Sequence, residues 1–237
     1  MSISFTVLSA NGAPVETIEV EPRHAVLGGF SARSAEERQR HIDELRQIGI
    51  EPPARVPAFW AVSRWLLTTA GDIEVQGDRT SGEVEYALIA HEGRTFVAVA
   101  SDQTDRHFEQ YSIPRSKQLC PKVLSREVVV LDEVIDRWDG ISLTSEISAD
   151  GQIWHDYQRT TLDALLDPGA LVRGACGDEA LPDGTVLLSG TVPLVDGVTR
   201  YLPHFRAELA IPHFATPLRL TYSVSILPDE PSEDATT

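Results

Sequence analysis

One stretch limits the fold of this chain more than any other: GEVEYALIAHEGRTFVAVASDQTDR, residues 82–106. Two apolar runs, Glu83 to His91 and Thr95 to Ser101, flank a turn at His91 to Gly93, the pattern of a buried β-hairpin. Yet Glu83 and Glu85 open the first run and Asp102 closes the second. In a strand, residues two apart project from the same face, so Glu83 and Glu85 point together while Val84 and Tyr86 face the other way. The hairpin returns the chain toward its start and brings Asp102 near Glu83. Like charges held this close in a partly buried place repel, and a divalent cation with oxygen ligands relieves the repulsion. Three such donors form one face of an octahedral Mg²⁺ or Mn²⁺ site, with Ca²⁺ as a further candidate, and leave positions for substrate and water. Spacing alone fits a solvated strand face equally well, because exposed carboxylate pairs are common. A shift in register would put Asp105 in place of Asp102.

The rest of the chain alternates short β runs with Gly, Asp and Pro punctuation. Ile3 to Val20 alternates apolar and polar residues around Asn11-Gly12, a hairpin cue. Ser34 and Glu37 make a capping box for a helix reaching about Ile48, with Gly49 as its stop. Later strands are expected at Glu127 to Leu131, Ser142 to Ser148, Val186 to Ser189, Phe205 to Ile211 and Leu218 to Ile226, with short helices near Arg106 to Lys117 and Thr161 to Leu166. Many strands and few helices make a β-rich α+β protein. We divide it into an N-terminal accessory region, 1–70, carrying the helix at about 34–48; a main domain, 71–227; and an acidic, disordered tail, 228–237.

Charge narrows the partners. Against 20 basic residues stand 36 acidic ones, a formal net charge of -16 that repels phosphate backbones and anionic lipid, so neither nucleic acid nor membrane is expected. Cys120 and Cys176 are too few for a disulfide framework or a thiolate metal site, and no signal peptide opens the sequence, which points to a cytoplasmic protein.

The hairpin and its neighbours resemble the fumarylacetoacetate hydrolase superfamily, in a divergent branch of the DUF2848 type. That family's metal motif is Glu-x-Glu on one strand and an Asp ending the next, followed by Asp-x-Thr/Ser-x-Arg; here these are Glu83, Glu85 and the run Asp102-Gln103-Thr104-Asp105-Arg106. The family's lysine falls on Lys117, before Pro121. LPDGTVLLSGT, residues 181–191, looks like the segment that presents a Gly-Thr pair, Gly190 and Thr191, to a substrate carboxylate, although Thr185 stands where the family usually has Asp. RHIDELR, residues 40–46, resembles a mobile His-x-x-Glu helix and places a dyad on His41 and Glu44, which share a helix face. Phe59 and Trp60 stand where the family has an aromatic pair, without the Lys-Pro expected after it. Extra residues before Gln158 blur the Asn-Gly and Gln segment near 150–161.

The resemblance implies a fumarylacetoacetate-hydrolase-like mixed β-sheet roll or barrel and a homodimer. It implies metal-dependent hydrolysis of a C–C bond in an acylpyruvate-type or related β-diketo or 2-oxo acid. In that scheme Glu83, Glu85 and Asp102 hold the metal, His41 oriented by Glu44 activates water, Lys117 adds a positive charge, and Arg106 orients the substrate or braces the carboxylates. Decarboxylase, isomerase or hydratase chemistry on the same site is the alternative, and a non-catalytic binding protein is another.

Overall fold

A computed structural model describes residues 1–47, 52–177 and 180–228; Gly49 and the acidic tail from Asp229 onward lie outside the described residues. The hairpin forms in the expected register. Val84–His91 runs antiparallel to Arg94–Asp102 with His91 opposite Arg94, and the turn residues Glu92 and Gly93 have φ of 51° and 73°. Two consecutive left-handed residues are what a two-residue hairpin turn needs, and glycine takes that conformation without steric cost.

Among the described residues the strands gather into a ten-stranded sheet, a five-stranded sheet and a two-stranded ladder. In the large sheet the order is Pro14–Val20, Ile3–Leu8, Glu127–Val130, Arg94–Asp102, Val84–His91, Thr185–Leu188, His24–Gly29 and Ala58–Val62, with Lys122–Leu124 joining Arg94–Asp102 to Leu67–Thr68. It is mixed: Ile3–Leu8 lies parallel to Glu127–Val130, and Thr185–Leu188 parallel to His24–Gly29. The five-stranded sheet runs His155–Thr161, Ser142–Ser148, His204–Ala210, Leu218–Leu227 and Asp72–Gln76, the last two parallel. Helices are few and short, the longest being Ala35–Gln47, so the fold is the β-rich α+β class read from the sequence.

The strands of the hairpin are buried on both faces, which is why they read as continuous apolar runs. Val84, Tyr86, Leu88, Val97 and Val99 face the five-stranded sheet and pack with Leu143, Phe205, Leu209 and Tyr222. The alternate residues Ala87, Ile89, Phe96, Ala98 and Ala100 face a second core with Phe5, Val20, Leu27 and Leu188. No described helix supplies a side chain to this second core, so the large sheet buries that face by curling on itself into a roll. Glu85 continues the Ala87, Ile89 series and Asp102 continues the Ala98, Ala100 series, so pleat parity carries both carboxylates to one end of the roll's interior.

Several connections depart from the sequence reading. Residues 155–161, where no strand is expected from the sequence, form an edge strand of the five-stranded sheet. Pro168–Cys176 is a helix: Pro168 stands in its first turn, where proline is favoured, and Asp167 accepts from the amide of Ala170 as its cap. The region from Arg106 splits into Arg106–Glu109 and Ile113–Gln118.

Candidate metal centre

The peptide N–H of Asp102 donates to the carbonyl of Glu83 at 2.9 Å, which fixes the two residues opposite one another. With Glu85 they bring carboxylate oxygens within 4.8 Å of one another. Glu85 and Asp102 have no exposed surface, and the Glu83 side chain keeps 13%. Asp105 does not join them; its carboxylate accepts from the amide of Phe108 at 2.9 Å and caps the helix Arg106–Glu109.

Each carboxylate is held on one oxygen by a donor of the chain. Arg106 Nη2 lies 3.0 Å from Glu83 Oε1, while its Nε donates to Ser81 at 2.7 Å and its Nη1 to Glu109 at 2.9 Å. The amide of Gly190 donates to Glu85 Oε2 at 2.7 Å. Lys122, with no exposed surface, donates to Asp102 Oδ1 at 2.6 Å and to the carbonyl of Gln103 at 2.7 Å. Lys117 donates to Glu83 Oε2 at 3.1 Å and to Asp102 Oδ2, and its ammonium lies 5.9 Å from the centre of the Trp60 ring.

The electrostatics follow from this wiring. Burial pushes Glu83 up, but Arg106 and Lys117 outweigh it and bring the carboxyl down to about 2. For Glu85, burial first and the Asp102 charge second outweigh Lys117 and the Gly190 amide and push it well above the usual carboxylate range. Burial works against the Lys117 ammonium, yet Asp102 and Glu83 hold its pKa above the ordinary value. Glu85 Oε1 is buried without a hydrogen-bond partner among the described residues. An unpaired buried oxygen on a carboxyl that resists ionisation, with two further carboxyl groups beside it, is the donor set a hard divalent cation completes. The residues fit such an ion.

Of the remaining expected residues, Gly190 and Thr191 are tied into the strands around the carboxylates. Thr191 Oγ1 donates to the carbonyl of Val84 at 2.9 Å and accepts from Gln158 Nε2 at 2.7 Å. Gln158, nearly fully buried, also accepts from the amide of Val84 at 2.9 Å and donates to the carbonyl of Val192 at 2.7 Å, so one side chain ties the glutamate strand to the Gly190-Thr191 segment. Gly190 has φ of +89°, and a Cβ there would stand 2.4 Å from Ser31 Oγ and 3.1 Å from the carbonyl of Gly28; only glycine presents this amide to Glu85. His41 and Glu44 fall on the helix Ala35–Gln47, and their side chains lie outside the described residues. Lys122 is the member of this charged cluster that the sequence reading passed over; its signal is a lysine one position past Pro121 at the start of an otherwise apolar strand, Lys122–Leu124. Among the described residues no helix is long and apolar enough to cross a membrane.

A model of the family described as protein of unknown function (DUF2848) matches residues 28–222. The chain belongs to the DUF2848 family. No curated protein matches this DUF2848 chain in sequence. Among solved structures it is similar to 2-keto-3-deoxy-D-arabinonate dehydratase complexed with magnesium and 2,5-dioxopentanoate, at 17% identity and a TM-score of 0.61, over 91% of this chain and 84% of that one. The apo form of that dehydratase matches at 18% identity and a TM-score of 0.60, over 92% and 84%. A structure titled Cg1458 matches at 14% identity and a TM-score of 0.61, over 88% and 78%. At these identities the likeness shows the shared fold.

Proposed function

We propose that this DUF2848 protein is a divalent-metal-dependent enzyme of the fumarylacetoacetate hydrolase superfamily acting on a 2-oxo acid, and that it hydrolyses a C–C bond in an acylpyruvate-type or related β-diketo acid. One observation carries the metal reading: three carboxylates share a buried end of the roll, each anchored on one oxygen, and Glu85 Oε1 has no partner of its own. Glu83, Glu85 and Asp102 would hold Mg²⁺ or Mn²⁺. When bound, such an ion supplies Lewis-acid stabilisation of negative charge developing on a 2-oxo acid.

Everything else falls to the chain's own groups. Lys117 offers a second positive charge beside Glu83 and Asp102. Arg106, Gly190 and Thr191 act through the carboxylates and strand that they hold. Hydrolysis requires a base for the attacking water, a role we give to His41, oriented by Glu44, on the helix Ala35–Gln47.

A second reading is dehydration of a 2-oxo acid, favoured by the fold shared with a magnesium-complexed dehydratase. A panel of acylpyruvates, oxaloacetate and 2-keto-3-deoxy sugar acids, run with and without Mg²⁺ or Mn²⁺, separates the two. Pyruvate release from an acylpyruvate, lost in His41→Ala, supports hydrolysis. Loss of water from a sugar acid without pyruvate release supports dehydration, and no metal-dependent turnover across the panel refutes both.

A further inference from the structure

The six oxygens of Glu83, Glu85 and Asp102 fall into two sets. Glu83 Oε1, Glu85 Oε2 and Asp102 Oδ1 are each gripped by a donor that is itself fixed. Gly190 contributes a backbone amide, Lys122 is wholly buried with a second bond to the Gln103 carbonyl, and Arg106 is tied to Ser81 and Glu109. The second set is Glu83 Oε2, Asp102 Oδ2 and Glu85 Oε1. Lys117 donates to the first two, and Glu85 Oε1 has no partner among the described residues. The hydroxyl of Thr104 lies 3.3 Å from Glu83 Oε2, but its single proton is shared with the carbonyl and Oδ1 of Asp102.

We infer that the Lys117 ammonium is an internal competitor for the cation position framed by these three oxygens, and that it must withdraw when a divalent ion binds. The inference rests on the metal reading above. A cation and an ammonium on the same two oxygens would repel at contact range, so one of them yields. Lys117 is the one placed to yield: its side chain keeps 7% exposure, whereas the Lys122 ammonium has no exposed surface and is bonded to the Gln103 carbonyl as well. The Trp60 ring, 5.9 Å from the ammonium where it now sits, gives it a π face to move toward as it leaves the carboxylates. Ion binding and release of a free lysine beside the ion then become one event. The substrate would meet two positive charges only after the ion has arrived.

Calorimetric titration of the full chain with Mn²⁺, wild type beside Lys117→Gln and Lys122→Gln, tests this. Lys117→Gln is expected to tighten Mn²⁺ binding on the order of tenfold or more, the scale on which a neighbouring like charge moves an ionic equilibrium. Lys122→Gln, whose ammonium sits on an anchored oxygen, is expected not to tighten it. Unchanged or weaker binding in Lys117→Gln overturns the inference, as does equal tightening in both variants, which would report only a loss of positive charge. A second measurement needs no change at Lys117: saturating Mg²⁺ is expected to alter tryptophan emission in the wild type and not in Trp60→Phe, and an unaltered emission in the saturated wild type also overturns it. No heat from Mn²⁺ with the wild type and Lys117→Gln alike would instead remove the metal reading itself.

Discussion

Replacing Gln158 with leucine keeps the volume of the side chain and deletes the hydrogen bonds that tie the glutamate strand to the Gly190-Thr191 segment. The amide of Val84 loses its acceptor, the carbonyl of Val192 loses its donor, and the hydroxyls of Ser145 and Thr191 each lose one partner. Thr191 keeps its bond to the carbonyl of Val84, and a hydroxyl can rotate, so the two backbone groups dominate the loss. Each buried backbone group left unpaired costs about 1–3 kcal/mol. Leucine returns roughly 1–2 kcal/mol by burying apolar surface at a site only 1% exposed. At the midpoints of these ranges, about 4 kcal/mol lost against about 1.5 returned, the net loss is about 2–3 kcal/mol, which for a chain of this size lowers the midpoint by about 2–4 °C per kcal/mol. Urea denaturation followed by circular dichroism measures the loss, and Mn²⁺ titration of the folded variant should show weaker binding, because Val84 lies between Glu83 and Glu85. A loss under about 0.5 kcal/mol at an unchanged m-value, with Mn²⁺ affinity intact, would refute the claim that this amide holds the frame.

Two further outcomes follow from the same frame. Gly190→Ala forces a side chain into a left-handed position facing Ser31, and such strain costs about 1–3 kcal/mol; the variant is expected to lose stability in urea and to bind Mn²⁺ more weakly, and normal values for both would contradict the role given to its amide. Cys120 is buried, and burial pushes its thiol up to about 12, against about 8.5 for a free thiol. A raised pKa leaves folding stability untouched below the unfolded value and erodes it as pH climbs from there toward 12. Alkaline unfolding curves should therefore be flatter in Cys120→Ala than in the wild type, with the thiol of the folded wild type slow to react with a disulfide reagent at pH 8; parallel curves would refute this.

What the sequence discloses here is governed by how local the cause is. The Val84–His91 and Arg94–Asp102 hairpin was legible because a turn and two apolar runs lie within one short stretch, and pleat parity alone puts Glu83 and Glu85 on one face. Asp102 was legible as well, since the hairpin register follows from the turn. The edge strand His155–Thr161 was hidden because only two of its residues are buried, so its composition resembles that of a loop. The helix Pro168–Cys176 was hidden because proline and two glycines read as breakers until their positions within the helix are known. Lys122 and Gln158 were missed or blurred for a different reason. Their partners, Asp102 for the one and Val84 and Val192 for the other, are brought to them by sheet pairing between distant segments, and no periodicity in the chain encodes that meeting.

The five-stranded sheet ends in a pairing of Asp72–Gln76 with Leu218–Leu227, side by side and in the same direction, with Ser223 opposite Asp72. A ribosome making this chain releases the first partner long before the second exists, so the pairing edge beside Ile73 and Val75 stays open until Leu218–Leu227 has emerged. Closure of such a distant contact is slow, so this edge of the sheet is the part of the fold that forms late.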